Sequence, residues 1–163
     1  MNWNGESSPA GRTFHCRDEQ ETIEAGREIA RDLPADVTVN LVGDLGAGKT
    51  FLVRAMAESL GAELLDVNSP SFALIHEYPR KNATPIIHID GYRLSDRPHE
   101  WEEIGIPELL RARGPKFIEW PKQGFRTRGQ RQFTIAIQVN ADDSRTITVD
   151  DSSALVGAPS RSD

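Results

Sequence analysis

The chain contains a single cysteine, Cys16, in 163 residues. A lone thiol excludes an internal disulfide framework and cannot build a cysteine-rich zinc site. The expectation is a reducing, cytoplasmic setting. No apolar run approaches the roughly 18 residues of a membrane span, and residues 1–13 lack the apolar core of a signal peptide. Basic excess is missing too: 19 Lys and Arg stand against 25 Asp and Glu, for a net charge of −6. Charge alone therefore gives no case for a protein that coats nucleic acid or lies on an anionic membrane. The four histidines, His15, His76, His88 and His99, have no metal-ligand spacing. The guanine-reading Asn-Lys-x-Asp pattern is absent, which argues against a GTPase.

What is present suits one soluble domain. With 37% hydrophobic and 27% charged residues, the composition is that of a globular protein. Residues 1–12 read as a flexible arm and 152–163 as a flexible tail, with one folded domain over 13–151 between them. Inside it the elements alternate in type. A short strand over 13–16 precedes a helix running to about residue 33, opened by Asp18 and Glu21 as a capping box. Ile23, Ile29, Ala30 and Leu33 are expected on its inner face. Residues 37–42 are almost wholly β-branched and apolar, as in a strand buried on both sides. A second helix is predicted over 50–60, stopped at Gly61. Strands over 72–78 and 86–89 follow, joined by 79–85. A helix over 100–113 is broken near Gly105, and a strand over 116–120 ends at Pro121. Residues 132–139 and 145–149 form a hairpin. The expected fold is α/β, a three-layer P-loop NTPase-like arrangement with parallel central strands and antiparallel additions.

The strongest local signal is Gly43-Asp44-Leu45-Gly46-Ala47-Gly48-Lys49-Thr50, which matches G-x-x-x-x-G-K-[ST] at every fixed position. It follows a buried strand and opens a helix, the setting that such a loop requires. Glycines let successive N–H groups turn inward around an anion, and the helix start adds unpaired donors and partial positive charge. Lys49 is expected to reach the β- and γ-phosphates and Thr50 to bind Mg²⁺. Phe51 continues the first turn beside them, so the expected nucleotide contacts run from Gly43 to Phe51.

Such a loop needs an acidic partner for its metal. Ile86 to Asp90 is a mostly apolar strand ending in an aspartate, the Walker B arrangement. Glu119, between Ile118 and Trp120, offers a second strand-end carboxylate, either to ligate magnesium or to position the attacking water. Ser69 and Ser71 lie between these parts, where nucleotide switches place a hydroxyl that senses the γ-phosphate. Arg93 is a candidate arginine finger. Residues 111–131 hold seven Lys or Arg and one acid, Glu119. That cluster reads first as a solvated face, and second as a contact for nucleic-acid phosphates or an acidic partner.

GDLGAGKT, SPSF, HIDGYRL, GI and EWP, in this order and spacing over about residues 18–122, resemble the bacterial TsaE (YjeE) family. The resemblance implies a small ATPase of the tRNA threonylcarbamoyladenosine pathway that binds ATP and Mg²⁺, hydrolyses slowly alone and works inside a complex. The implied partners are TsaD, which transfers the threonylcarbamoyl group, and its scaffold TsaB. The implied target is adenosine 37 of tRNA, met through the complex. It also implies that Lys49 and Thr50 are the loop residues, Asp90 the Walker B acid and Glu119 the other essential acid. Trp120 stands beside that acid, and Ser69 and Ser71 fall in the switch segment. Phe51 occupies a position where a second Thr is common, and Ser71 one where Thr is usual. Without its partners the protein is expected to be monomeric. A small-molecule kinase uses the same loop and is the alternative.

Overall fold

The computed structural model describes residues 8–64, 74–125, 127 and 131–153. The elements in chain order are β1 (Arg12–Cys16), α1 (Glu19–Arg31), β2 (Val37–Val42), α2 (Lys49–Ser59), β3 (Ile75–Arg80) and β4 (Ala83–Asp90), then α3 (Pro98–Glu103), α4 (Ile106–Arg111), β5 (Lys116–Glu119), β6 (Arg131–Val139) and β7 (Arg145–Asp151). The seven strands form one sheet in the order β1-β7-β6-β2-β5-β4-β3. Its centre, β6-β2-β5-β4, is parallel throughout. The β6–β7, β1–β7 and β3–β4 pairs are antiparallel. The expected α/β fold with a parallel heart and antiparallel additions is thus the observed one.

Alternation along the strands builds two cores. Val39 and Leu41 of β2, Ile86 of β4, Phe117 of β5 and Ile135 of β6 point to the face carrying α1 and α2, where they meet Ile29, Leu52 and Met56. Ile87, Ile89 and Ile118, one residue out of phase, point to the opposite face and meet Trp101, Ile106 and Leu110 of α3 and α4. Three layers result, as a sheet buried on both sides requires. At the start of α1, Asp18 accepts from the Glu21 amide at 2.9 Å. Glu21 reaches back one residue further than in the standard box, its carboxylate accepting from the Arg17 amide at 2.7 Å.

Two expectations change, and the basic cluster gains acidic neighbours. The strands at 79–85 are continuous except for a two-residue turn, with Asn82 in left-handed backbone at φ 60°. Pro79 is accommodated because β3 is an edge strand and its register slips between Tyr78 and Arg80. The inner face of α1 is Thr22, Ala25, Gly26, Ile29 and Ala30. Ile23 is only half-buried, because small residues let α1 lie close on α2, whereas Leu33, just past the helix, is half-buried and packs against the core. The basic cluster is interleaved with acids. Lys122 pairs with Asp96 at 3.2 Å, Lys116 and Arg111 approach Asp36 and Glu108 at 3.9 and 4.0 Å, and Arg131 pairs with Asp151. Arg126 and Arg128 lie outside the described residues, as do most of the expected arm and tail.

Lys116 is fully buried, its ammonium donating to the Gly114 carbonyl at 3.0 Å. Burial pushes its pKa below the ordinary lysine value, and nearby Asp36 only partly opposes this. A lysine whose folded pKa is depressed costs stability while charged, and that cost is relieved as pH rises from the folded value to the ordinary lysine value. Lys116→Met is therefore expected to match or exceed the native stability near neutral pH, by up to about 2 kcal/mol. It also removes part of the rise in stability on going to alkaline pH. Urea unfolding of both proteins from pH 7 to 10 checks this. A loss of more than about 1 kcal/mol would show that the charge is needed.

Candidate nucleotide site

The strands β2, β5 and β4 lie side by side and run parallel, so their C-terminal ends open at one edge. That edge is where ligands of open α/β sheets bind. The loop 43–48 leaves β2 there, Glu119 ends β5 and Asp90 ends β4. Asp90 and Glu119 are directly paired in register, and Glu119 is paired in turn with Leu41.

The loop takes backbone that only glycine adopts without strain. Gly46 and Gly48 have φ of 79° and 102°. Gly48 caps α2 in left-handed conformation, and no side chain caps that helix start. Its first amides are thus available to an anion. Leu45 crowns the loop at 72% exposed, whereas Ala47 is buried beneath it. Asp44 and Gly46 are exposed and Phe51 is half-buried on the first turn.

Lys49 is 4% exposed. Its ammonium donates to the carbonyls of Gly43 and Asp44 at 2.7 and 2.8 Å and sits 4.3 Å from the centre of the Trp120 ring. Burial lowers its pKa, against the opposing charges of Glu119, Asp90 and Asp44. Glu119, 3% exposed, accepts from the Thr50 hydroxyl at 2.7 Å and from His88 Nε2 at 2.8 Å, both on Oε1. Burial alone would raise its pKa. Hydrogen bonds from His88 and Thr50, with the charge of Lys49, outweigh it and hold the carboxyl below its ordinary value. Asp90 is half-buried, and its Oδ1 accepts from the Tyr92 amide at 3.0 Å.

Two backbone features hold the acids together. Gly91 donates to the Glu119 carbonyl at 2.8 Å. Trp120 turns into left-handed backbone at φ 51°, rare for a bulky residue. Its amide donates to the Leu41 carbonyl at 3.3 Å, and its ring lies 5.1 Å from that of Tyr92. The strained turn swings the indole back over Lys49.

The structure thus brings Lys49, Thr50, Asp90 and Glu119 to one place. Ser69 and Ser71 lie outside the described residues. Arg93 is exposed just beyond Asp90. Four neighbours had no assigned role in the sequence reading. Trp120 packs on Lys49. Arg145 on β7 donates from Nε to the Ala47 carbonyl at 2.9 Å, bracing the loop from behind. His88 bonds Glu119, and the Tyr78 hydroxyl lies 2.9 Å from His88 Nδ1. Only His88 carried a local signal, because a residue two before Asp90 on a strand shares its face.

The oxygens of Thr50, Asp90 and Glu119 are hard donors of the kind magnesium prefers. Among the described residues no group of three or more His, Cys, Asp or Glu forms a metal cage. No helix among the described residues is long and apolar enough to cross a membrane.

Comparison with known proteins identifies relatives of the chain. A family model for threonylcarbamoyl adenosine biosynthesis protein TsaE matches residues 16–147. The tRNA threonylcarbamoyladenosine biosynthesis protein TsaE of Bacillus subtilis is 39% identical over 115 residues, 71% of this chain and 69% of that one. Its counterpart in Treponema pallidum is 33% identical over 133 residues, 82% and 96% of the two chains. A crystal structure of Bacillus subtilis YdiB superposes with a TM-score of 0.61 at 27% identity, covering 89% of this chain and 88% of that one. The matched span, with relatives 39% and 33% identical over most of the chain, places it in the TsaE family of threonylcarbamoyl adenosine biosynthesis proteins.

Proposed function

We propose that the chain is a Mg²⁺-dependent ATPase that works with TsaD-like and TsaB-like proteins in N6-threonylcarbamoyladenosine modification at position 37 of tRNA. The observation that carries the reading is the Thr50–Glu119 hydrogen bond at the mouth of a loop whose interior holds the buried Lys49 ammonium. Membership of the TsaE family supports the pathway.

In this reading the amides of the loop and of the α2 start bind the phosphate chain, and Lys49 exchanges its two carbonyl partners for β- and γ-phosphate oxygens. Thr50 and Asp90 would hold Mg²⁺, with Glu119 beside them. The chemistry a bound Mg²⁺ supplies is neutralisation of charge on the transferring phosphoryl oxygens. Glu119, ionised at neutral pH, accepts a hydrogen bond from the attacking water or completes the metal's oxygen shell. Trp120 keeps bulk water from the Lys49 side. Catalysis here consists of positioning and charge stabilisation. Hydrolysis in the complex would reset the partner between catalytic cycles.

Glu119→Gln tests the assignment. ATP affinity is expected to stay within about threefold of native, while turnover falls about 100-fold or more. Calorimetry and a phosphate-release assay, run with and without the partner proteins, measure the two quantities. ADP and free phosphate in equal amounts identify the ATPase, whereas a phosphorylated small molecule identifies the kinase. Retained turnover in Glu119→Gln counts against its role. Co-purification with the TsaD-like and TsaB-like proteins only when ATP is present would support the assembly.

A further inference from the structure

One hydrogen-bonded chain crosses three strands and ends at the nucleotide loop. It starts at Tyr78 on β3, passes through His88 on β4 and Glu119 on β5, and finishes at Thr50 on α2, with links of 2.9, 2.8 and 2.7 Å. An ionised carboxylate only accepts, so Nε2 of His88 carries the proton given to Glu119, and in the neutral ring Nδ1 takes that of the Tyr78 hydroxyl. We propose that Tyr78 and His88 are positioning residues for the proposed ATPase reaction, His88 holding the Glu119 carboxylate in its working orientation and Tyr78 acting through His88. This rests on the reading of Glu119 given above.

Register explains how the chain is built. Tyr78 is paired with Ile86 and His88 with Phe117, so each side chain reaches diagonally to a residue two places on in the next strand. Both fixed bonds of Glu119 fall on Oε1, one from His88 beneath and one from Thr50 at the loop. Without His88 the carboxylate keeps the bond from the exposed Thr50 hydroxyl and is freer to swing towards Lys49. The Tyr78 ring is located independently of its hydroxyl. It stacks on His76 at 6.3 Å and 9° and lies 5.9 Å from the His88 ring. Phenylalanine at this position therefore removes the hydrogen bond and little else.

The test uses the full chain, with its partner proteins where turnover requires them, in Tyr78→Phe, His88→Asn, His88→Gln and the Tyr78→Phe/His88→Gln double variant. ATP–Mg²⁺ affinity by calorimetry is expected to stay within about threefold in all four, while kcat falls about 3–10-fold in Tyr78→Phe and about 10–100-fold in His88→Asn. His88→Gln places an amide nitrogen where Nε2 stood and is expected to recover most of that loss. In its background Tyr78→Phe should cost nothing further, because the acceptor for the hydroxyl is gone. Native kcat in Tyr78→Phe, additive losses in the double variant, or affinity falling in step with kcat would each overturn the proposal. ¹⁵N spectra of the His88 ring supply a readout independent of turnover. Tyr78→Phe should shift the Nδ1 resonance, and an unmoved resonance overturns the relay. A native chain without ATP turnover, alone or with partners, overturns the reading of the site instead.

Discussion

Lys49→Met is expected to abolish detectable ATP turnover and weaken ATP binding about 100-fold while leaving the protein folded. The ammonium lies inside the loop, bonded to the Gly43 and Asp44 carbonyls and covered by the Trp120 ring. Two or more charge-assisted hydrogen bonds to phosphate vanish with it, each about 1.5–3 kcal/mol. Stability responds differently. Burial has already lowered the Lys49 pKa, so the fold disfavours this charge, while the two carbonyls lose a donor. These effects oppose each other, and methionine keeps an unbranched stem under the indole. The expected change in unfolding free energy is about 1 kcal/mol or less. Calorimetry with ATP–Mg²⁺, phosphate release and urea unfolding together make the check. Near-native affinity would show that the loop is not where ATP binds.

Gly91→Ala is expected to be damaging in another way, costing about 2–3 kcal/mol and at least tenfold in turnover. A Cβ on Gly91 would press into the Trp120 carbonyl oxygen and stand 3.0 Å from that of Glu119 and 3.2 Å from the Trp120 carbonyl carbon. All of these are backbone atoms, so no flexible side chain can yield. The Gly91 amide is meanwhile tied to the Glu119 carbonyl, so the two strand ends must part to make room. Parting them separates Asp90 from Glu119 and disturbs the strained turn that aims Trp120. Urea midpoints and phosphate release on the same preparations test this, and a variant of native stability would sink it.

The parts of the fold legible in the sequence are those fixed by short-range chemistry. Residues 37–42 read as β2 because an apolar β-branched run cannot lie anywhere but inside a sheet. The glycine spacing before Lys49 announced the loop, Asp18 the start of α1, and Gly105 the break between α3 and α4. Both strands of the following pair were legible, but their continuation through Pro79 and Pro85 was not. Pro79 fits because β3 lies at the edge and Pro85 because pairing with β5 starts only at Ile87, and both are properties of the finished sheet. The α1 face misled because packing distance against α2, rather than hydrophobicity, selects Ala25 and Gly26 over Ile23. At the site, Lys49, Thr50, Asp90 and Glu119 could be named because each sits in a local pattern. The contacts of Tyr78, Trp120 and Arg145 could not. The first reaches the site through His88, the second through an unusual φ, and the third from a strand near the other end of the chain.

Arg145 has a consequence for the order of assembly. The sheet centre needs β6, and the outer flank pairs β1 with β7, so Arg12 at one end of the described chain meets Val149 at the other. Loop closure over such a separation is slow, and it follows synthesis of nearly every residue between. The brace behind the nucleotide loop arrives on β7. A growing chain on the ribosome therefore displays its Gly-rich loop and both carboxylates long before that loop is buttressed, and finished geometry at the phosphate end belongs only to polypeptides whose last hairpin has docked.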